Sequence, residues 1–76
     1  MSKMIIKFTN TTVDPRNEEM TYWFTIKLAG YEYTCIDLGF SKAGELTNAS
    51  RTFFELDKRT QSEVEVEVKA MLPKVV

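Results

Sequence analysis

The sequence contains no histidine. That removes Ser-His-Asp and Cys-His nucleophilic sites, imidazole-mediated proton transfer near neutral pH, and the usual zinc constellations. It contains one cysteine, Cys35, so no disulfide can close within the chain and packing alone must hold the fold. Such cysteine usage suits a reducing compartment, and the expected location is cytoplasmic. No apolar run approaches the length of a membrane span. The opening stretch MSKMIIKFTN is too short in apolar residues for the core of a signal peptide. Without such a peptide, the sequons Asn10-Thr11-Thr12 and Asn48-Ala49-Ser50 read as chance. No charge of one sign dominates: ten Lys and Arg are interspersed with eleven Asp and Glu, for a formal net charge of -1. Tight duplex binding through counterion release needs clustered cations, and a DNA mimic needs a dense acidic face. Neither is present, and there is no internal repeat or low-complexity segment.

What is present argues for a folded domain. The apolar fraction is 43%, and one Trp, three Tyr and five Phe exceed what a disordered tail carries. A chain of 76 residues accommodates one compact domain, residues 1–76, with a thin core.

Along the chain, Met4, Ile6 and Phe8 alternate with Ile5 and Lys7, which predicts a first strand with those three residues on one face. Residues 9–20 are polar and contain Asp14-Pro15, and read as the longest loop. Two runs rich in aromatic and β-branched residues follow, Thr21 to Leu28 and Tyr31 to Leu38, separated by Ala29-Gly30. A two-residue turn there pairs Lys27 with Glu32, Thr25 with Thr34, Phe24 with Cys35 and Trp23 with Ile36, all favourable across strands. Ala-Gly is weaker than Asn-Gly in such a turn, so a longer loop with a bulge is the alternative. In the two-residue register Tyr22, Phe24, Ile26, Leu28, Tyr31, Tyr33 and Cys35 share one face. Trp23, Thr25, Lys27, Glu32, Thr34 and Ile36 share the other.

Residues 39–44 read as a loop with two glycines. In residues 45–60, Leu46, Ala49, Phe53 and Leu56 recur at helical spacing and favour a helix. The rival reading makes Thr52 to Leu56 a strand. Glu63 to Lys69 alternates Glu and Val strictly, which predicts a half-buried strand running on until Pro73. The expected fold is therefore α+β: a small antiparallel sheet in the order β-β-β-α-β, with one helix packed across one face. The alternative is an all-β five-stranded small barrel.

Few constellations carry chemistry. Cys35, facing Phe24 in the predicted register, reads as a small core residue rather than a nucleophile. Gly39 and Gly44 have the outer spacing of a phosphate loop, but Glu45-Leu46 stands where Lys and Ser or Thr are required. Asp57 with Glu67-Val68-Lys69 resembles a fragment of a metal-dependent nuclease site, yet an alternating charged strand yields Glu-x-Lys by default. No cofactor, metal or catalytic set is expected.

Two surfaces remain as candidates for binding. The first is the sheet face bearing Trp23, Lys27 and Ile36, since tryptophan dominates interface hot spots. The second is the acidic ladder Glu63, Glu65 and Glu67, which guards an edge or steers a basic partner. The expected function is a small non-enzymatic protein-interaction module, in the manner of phage or mobile-element accessory proteins that bind and inhibit host or defence proteins. The alternative is a single-stranded nucleic-acid binder stacking bases on an aromatic sheet face. Homodimerisation through a sheet edge stays open, and no membrane partner is expected.

Overall fold

The computed structural model describes residues 4–28 and 35–75. Four strands form an open antiparallel sheet in sequential order: β1 (Met4–Val13), β2 (Met20–Leu28), β3 (Cys35–Phe40) and β4 (Leu46–Ala49). A single helical turn, α1 (Arg51–Phe54), leads to a long C-terminal helix, α2 (Lys58–Val75). The α+β class with one substantial helix on one face of an antiparallel sheet is what the chain adopts. The sheet does not close, so the barrel alternative falls. The helix follows the fourth strand rather than preceding it, so the predicted order β-β-β-α-β becomes four strands and then helix.

The core lies between the sheet and α2. It comprises Tyr22, Phe24, Ile26 and Leu28 of β2, Ile36, Leu38 and Phe40 of β3, Phe53, and Val64, Val68 and Leu72 of α2. Phe24 sits at its centre, with Phe8 and Phe40 meeting it edge-on at centroid distances of 5.5 and 6.3 Å. Met4, Ile6 and Phe8 pack against this cluster from β1, as the alternation in that strand predicts.

The β2–β3 register departs from the prediction. Phe24 pairs with Leu38 rather than Cys35, and Trp23 with Gly39 rather than Ile36, a displacement of three residues. Because strand side chains alternate, an odd displacement exchanges the two faces of β3. Ile36, Leu38 and Phe40 become fully buried and Cys35 becomes exposed. Burying three large apolar side chains at roughly 1.5–3 kcal/mol each outweighs the cross-strand pairs of the two-residue-turn register. Cys35 is therefore not a core residue, and Ile36 is not on the exposed face. The turn itself, Ala29-Gly30, and the pairings of Tyr31 to Thr34 lie outside the described residues.

The polar segment 9–20 is shorter as a loop than its composition suggests. β1 continues to Val13, and the turn spans only Asp14 to Glu19. It closes through Asp14 N–H to the Glu19 carbonyl (2.9 Å) and Glu18 N–H to the Asp14 carbonyl (2.8 Å). The Asp14 carboxylate accepts from the Arg16 backbone at 2.9 Å and pairs with its guanidinium at 3.3 Å. The Arg16 hydrogen bonds hold the Asp14 carboxyl below the usual carboxylate range. One extra residue, Thr9, bulges from β1 between Phe8 and Asn10.

Residues 45–60 are neither the predicted helix nor the rival strand over 52–56. Leu46 and Ala49 turn towards the core from β4, opposite Phe40 and Leu38, and Phe53 is buried from α1. These apolar residues do pack against the core, but a strand followed by one turn delivers them. The two glycines of the phosphate-loop-like stretch serve the sheet. Gly39 lies inside β3, and Gly44 takes a φ of 91° in the β3–β4 turn, donating to the Ser41 carbonyl at 2.9 Å.

The largest correction concerns residues 63–69, which are helical. Asp57 caps α2: its carboxylate accepts from the Thr60 backbone and hydroxyl, and its carbonyl accepts from Gln61 N–H at 3.0 Å. The Thr60 hydrogen bonds lower the Asp57 carboxyl from its ordinary value. Val64, Val68 and Leu72 then recur at i, i+4 and i+8 on the buried stripe, while Val66 is 65% exposed. Good helix formers from Lys69 to Leu72 extend the element, and Pro73 is tolerated in its last turns.

Candidate functional site

One face of the sheet is covered by α2. The other carries no packed element among the described residues, and it holds the two predicted binding residues of the hairpin, Trp23 and Lys27. Reading outward-facing rows from β1 to β4 gives Ile5–Lys27–Cys35, then Lys7–Thr25–Asp37, then Asn10–Trp23–Gly39–Asn48, then Thr12–Thr21. Five of these side chains, with Thr9 from the bulge, bear hydroxyl or amide groups. The sheet therefore presents a largely polar surface with a single indole in its middle.

Three features fix that indole. Gly39 is directly opposite on β3, and its missing side chain lets the ring lie down on the neighbouring strand. A Cβ at Gly39 would come within 3.4 Å of Trp23 Cε3. The ring nitrogen donates to the Thr12 hydroxyl at 2.8 Å. Thr9 and Asn10 flank it from β1 because the bulge turns both towards this face. Trp23 is half-buried as a result: Thr9, Asn10 and Thr12 of the 9–20 segment border it as part of β1, while α2 lies on the opposite face.

Beside the indole runs a directed hydrogen-bond chain. Thr25 donates its hydroxyl proton to Asp37 Oδ1 at 2.9 Å. Thr9 lies 3.0 Å from Thr25, and since the Thr25 proton is committed, Thr9 is the donor. The chain points its acceptor end at Asp37 Oδ1 and leaves Oδ2 outward. Asp37 has no cationic partner among the described residues. Thr9, Asn10, Thr12, Trp23 and Asp37 together line an open concavity of about 360 Å³.

The other predicted site residues are scattered. Ile36 is fully buried against the core and offers nothing to a partner. Glu63, Glu65 and Glu67 do not form a ladder, because they stand on a helix. Glu63 and Glu67 share a stripe, with Arg59 at 3.5 Å from Glu63, and Glu65 turns to another side. Asp57 and Glu67 lie ten residues apart on one axis, about 15 Å, too far to share a metal ion. No group of three His, Cys, Asp or Glu side chains is placed to hold a metal among the described residues. Asn10, Thr12, Gly39 and Asp37 were missed by sequence reasoning, since membership of the Trp23 face depends on the bulge and on the β3 register.

Among the described residues no helix is long and apolar enough to cross a membrane. No family model matches the chain, and no curated protein or solved structure is significantly similar to it.

Proposed function

We propose that this chain is a small non-enzymatic protein-interaction module that binds a partner through the uncovered sheet face centred on Trp23. We further propose that it inhibits a host or defence protein by occupying its surface, as accessory proteins of phages and mobile elements do. The observation that carries the reading is a tryptophan held flat on a sheet by Gly39 and Thr12, in a face that α2 leaves open. A Trp kept in place by its neighbours loses little side-chain freedom on binding and offers a large amphipathic contact, the usual properties of a hot spot.

A single-stranded nucleic acid is the rival occupant, favoured by Lys7 and Lys27 on the same face. Against it stands Asp37, whose charge sits beside the stacking platform and repels phosphate.

The test is affinity capture from host lysate with tagged wild-type and Trp23→Ala proteins, each with and without nuclease, followed by reconstitution with the purified partner. Stoichiometric binding that survives nuclease and is lost in Trp23→Ala supports the module. Capture that disappears with nuclease, or that Trp23→Ala leaves unchanged, rejects it.

A further inference from the structure

We infer that the concavity beside Trp23 is a receptor for a guanidinium group, so that the partner contributes an arginine side chain seated over the indole and paired with Asp37. This rests on the protein-binding reading of the same face and adds the chemistry of the contact. The five lining residues carry one formal charge, that of Asp37. Its Oδ1 has accepted one hydrogen bond, from Thr25, and keeps a second lone pair; Oδ2 is uncommitted. A carboxylate in that condition accepts the two parallel N–H groups of a guanidinium. The indole nitrogen is occupied by Thr12, so the ring offers its π face rather than a donor. A planar cation over that face gains cation–π attraction while its N–H groups turn to Asp37, which lines the same concavity. Asn10 supplies an amide oxygen, and Thr12 a second hydroxyl, for the remaining N–H donors.

The alternatives fit less well. An ammonium lacks the plane that would stack and fork at once. An anion meets Asp37. The two cations of this face, Lys7 and Lys27, belong to rows opposite Thr25 and Cys35 and are not among the concavity's lining. They explain why the occupant must reach the Trp23–Asp37 corner specifically, since a diffuse basic surface would be repelled by them.

Trp23 is the chain's one tryptophan, so its fluorescence reports the site directly. The purified protein is titrated with acetylated tetra-arginine amide, tetra-lysine amide and a short oligothymidylate, and the indole N–H resonance is followed by NMR in parallel. The expected result is a saturable response to tetra-arginine, weaker by several-fold for tetra-lysine, and an affinity for tetra-arginine about tenfold lower in Asp37→Asn. Asn keeps the acceptor that Thr25 needs, so the fold is retained, and circular dichroism of the variant checks this. A response of equal strength to both peptides, an unchanged affinity in Asp37→Asn, or a stronger response to oligothymidylate overturns the assignment. Lysate capture through Trp23 without any arginine response overturns it too, and leaves the protein-binding reading standing. An arginine response without a protein partner does the reverse.

Discussion

Three valines in α2 offer a sharp test of the architecture, because identical substitutions two residues apart should act with opposite sign. Val64 and Val68 have no exposed surface, and Val66 is 65% exposed. Val68→Ala removes two methyl groups from the core, a transfer loss of about 1.6 kcal/mol at ~0.8 kcal/mol per buried carbon. The cavity left behind adds to this, since the aromatic neighbours relax only partly. Alanine's higher helix propensity returns about 0.5 kcal/mol. The net cost is about 1.5–2.5 kcal/mol, and Val64→Ala should match it. Val66→Ala loses almost no burial and keeps the propensity gain, so it should be neutral or stabilising by up to about 0.5 kcal/mol. In a domain of this size the core variants should melt about 6–20 °C lower, and Val66→Ala at or slightly above wild type. Urea unfolding monitored jointly by far-UV circular dichroism and Trp23 fluorescence gives the comparison, with the midpoint shifting at constant slope. If Val66→Ala costs as much as its neighbours, the three valines share one face, residues 63–69 form a strand, and the helix on this sheet is wrong.

Other perturbations probe the site and its supports. Gly39→Ala places a Cβ 2.7 Å from Thr21 Cγ2 and 3.2 Å from Asn48 Cβ, so it should cost about 1–3 kcal/mol. It should also lift the indole and shift its emission to the red. Asp57→Ala should lower the melting temperature and the helix signal, and Asp57→Ser should restore most of the loss, because Ser still accepts from Thr60. The Asp57 carboxyl titrates lower when folded than when unfolded, so its contribution is complete above the ordinary carboxylate value and fades as pH falls through the lowered one. Acid titration of wild type should therefore show helix stability declining below about pH 4, a component absent from Asp57→Ser. Cys35 is exposed, so it should react fully with a maleimide in native buffer without denaturant.

Much of the fold is legible in the sequence where one period dominates. Met4, Ile6 and Phe8 of β1, and Tyr22, Phe24, Ile26 and Leu28 of β2, alternate cleanly and point where the alternation says. The C-terminal segment misleads because Glu-Val repeats satisfy a strand period over seven residues, while the helical pattern of Val64, Val68, Met71, Leu72 and Val75 needs a wider window to be seen. Asp57 with Thr60 supplies the missing boundary signal, since a capping Asp followed by a long stretch without glycine starts a helix rather than a turn between strands. In 45–60 the apolar spacing suits a helix, but Leu46 and Ala49 both face inward from β4 because the pairing slips by one residue between Asn48 and Leu46, and Phe53 follows from α1.

The site is less legible than the fold, and the reason is parity. A hairpin register read from turn chemistry at Ala29-Gly30 sets Ile36 beside Trp23 and buries Cys35. A register three residues away sets Gly39 beside Trp23, exposes Cys35 and turns Asp37 outward. Local pairs worth a few tenths of a kcal/mol each favour the first register, where Lys27 meets Glu32 and Trp23 meets Ile36, but they are too small to decide. The choice is made by Ile36, Leu38 and Phe40 acting together, which need a covered face, and α2 provides it only on the side where Phe24 already lies. The chemistry of the open face is thus a by-product of core burial on the opposite face. Gly39 and Asp37 alternate with those three core residues, so burying Ile36, Leu38 and Phe40 puts both on the open face, and the register that pairs Phe24 with Leu38 sets the glycine under the indole. Any change that slips the β2–β3 register by an odd number of residues should abolish the Trp23 site and the core in one step, whereas Asp37→Asn should remove the site's charge and leave the core as it is.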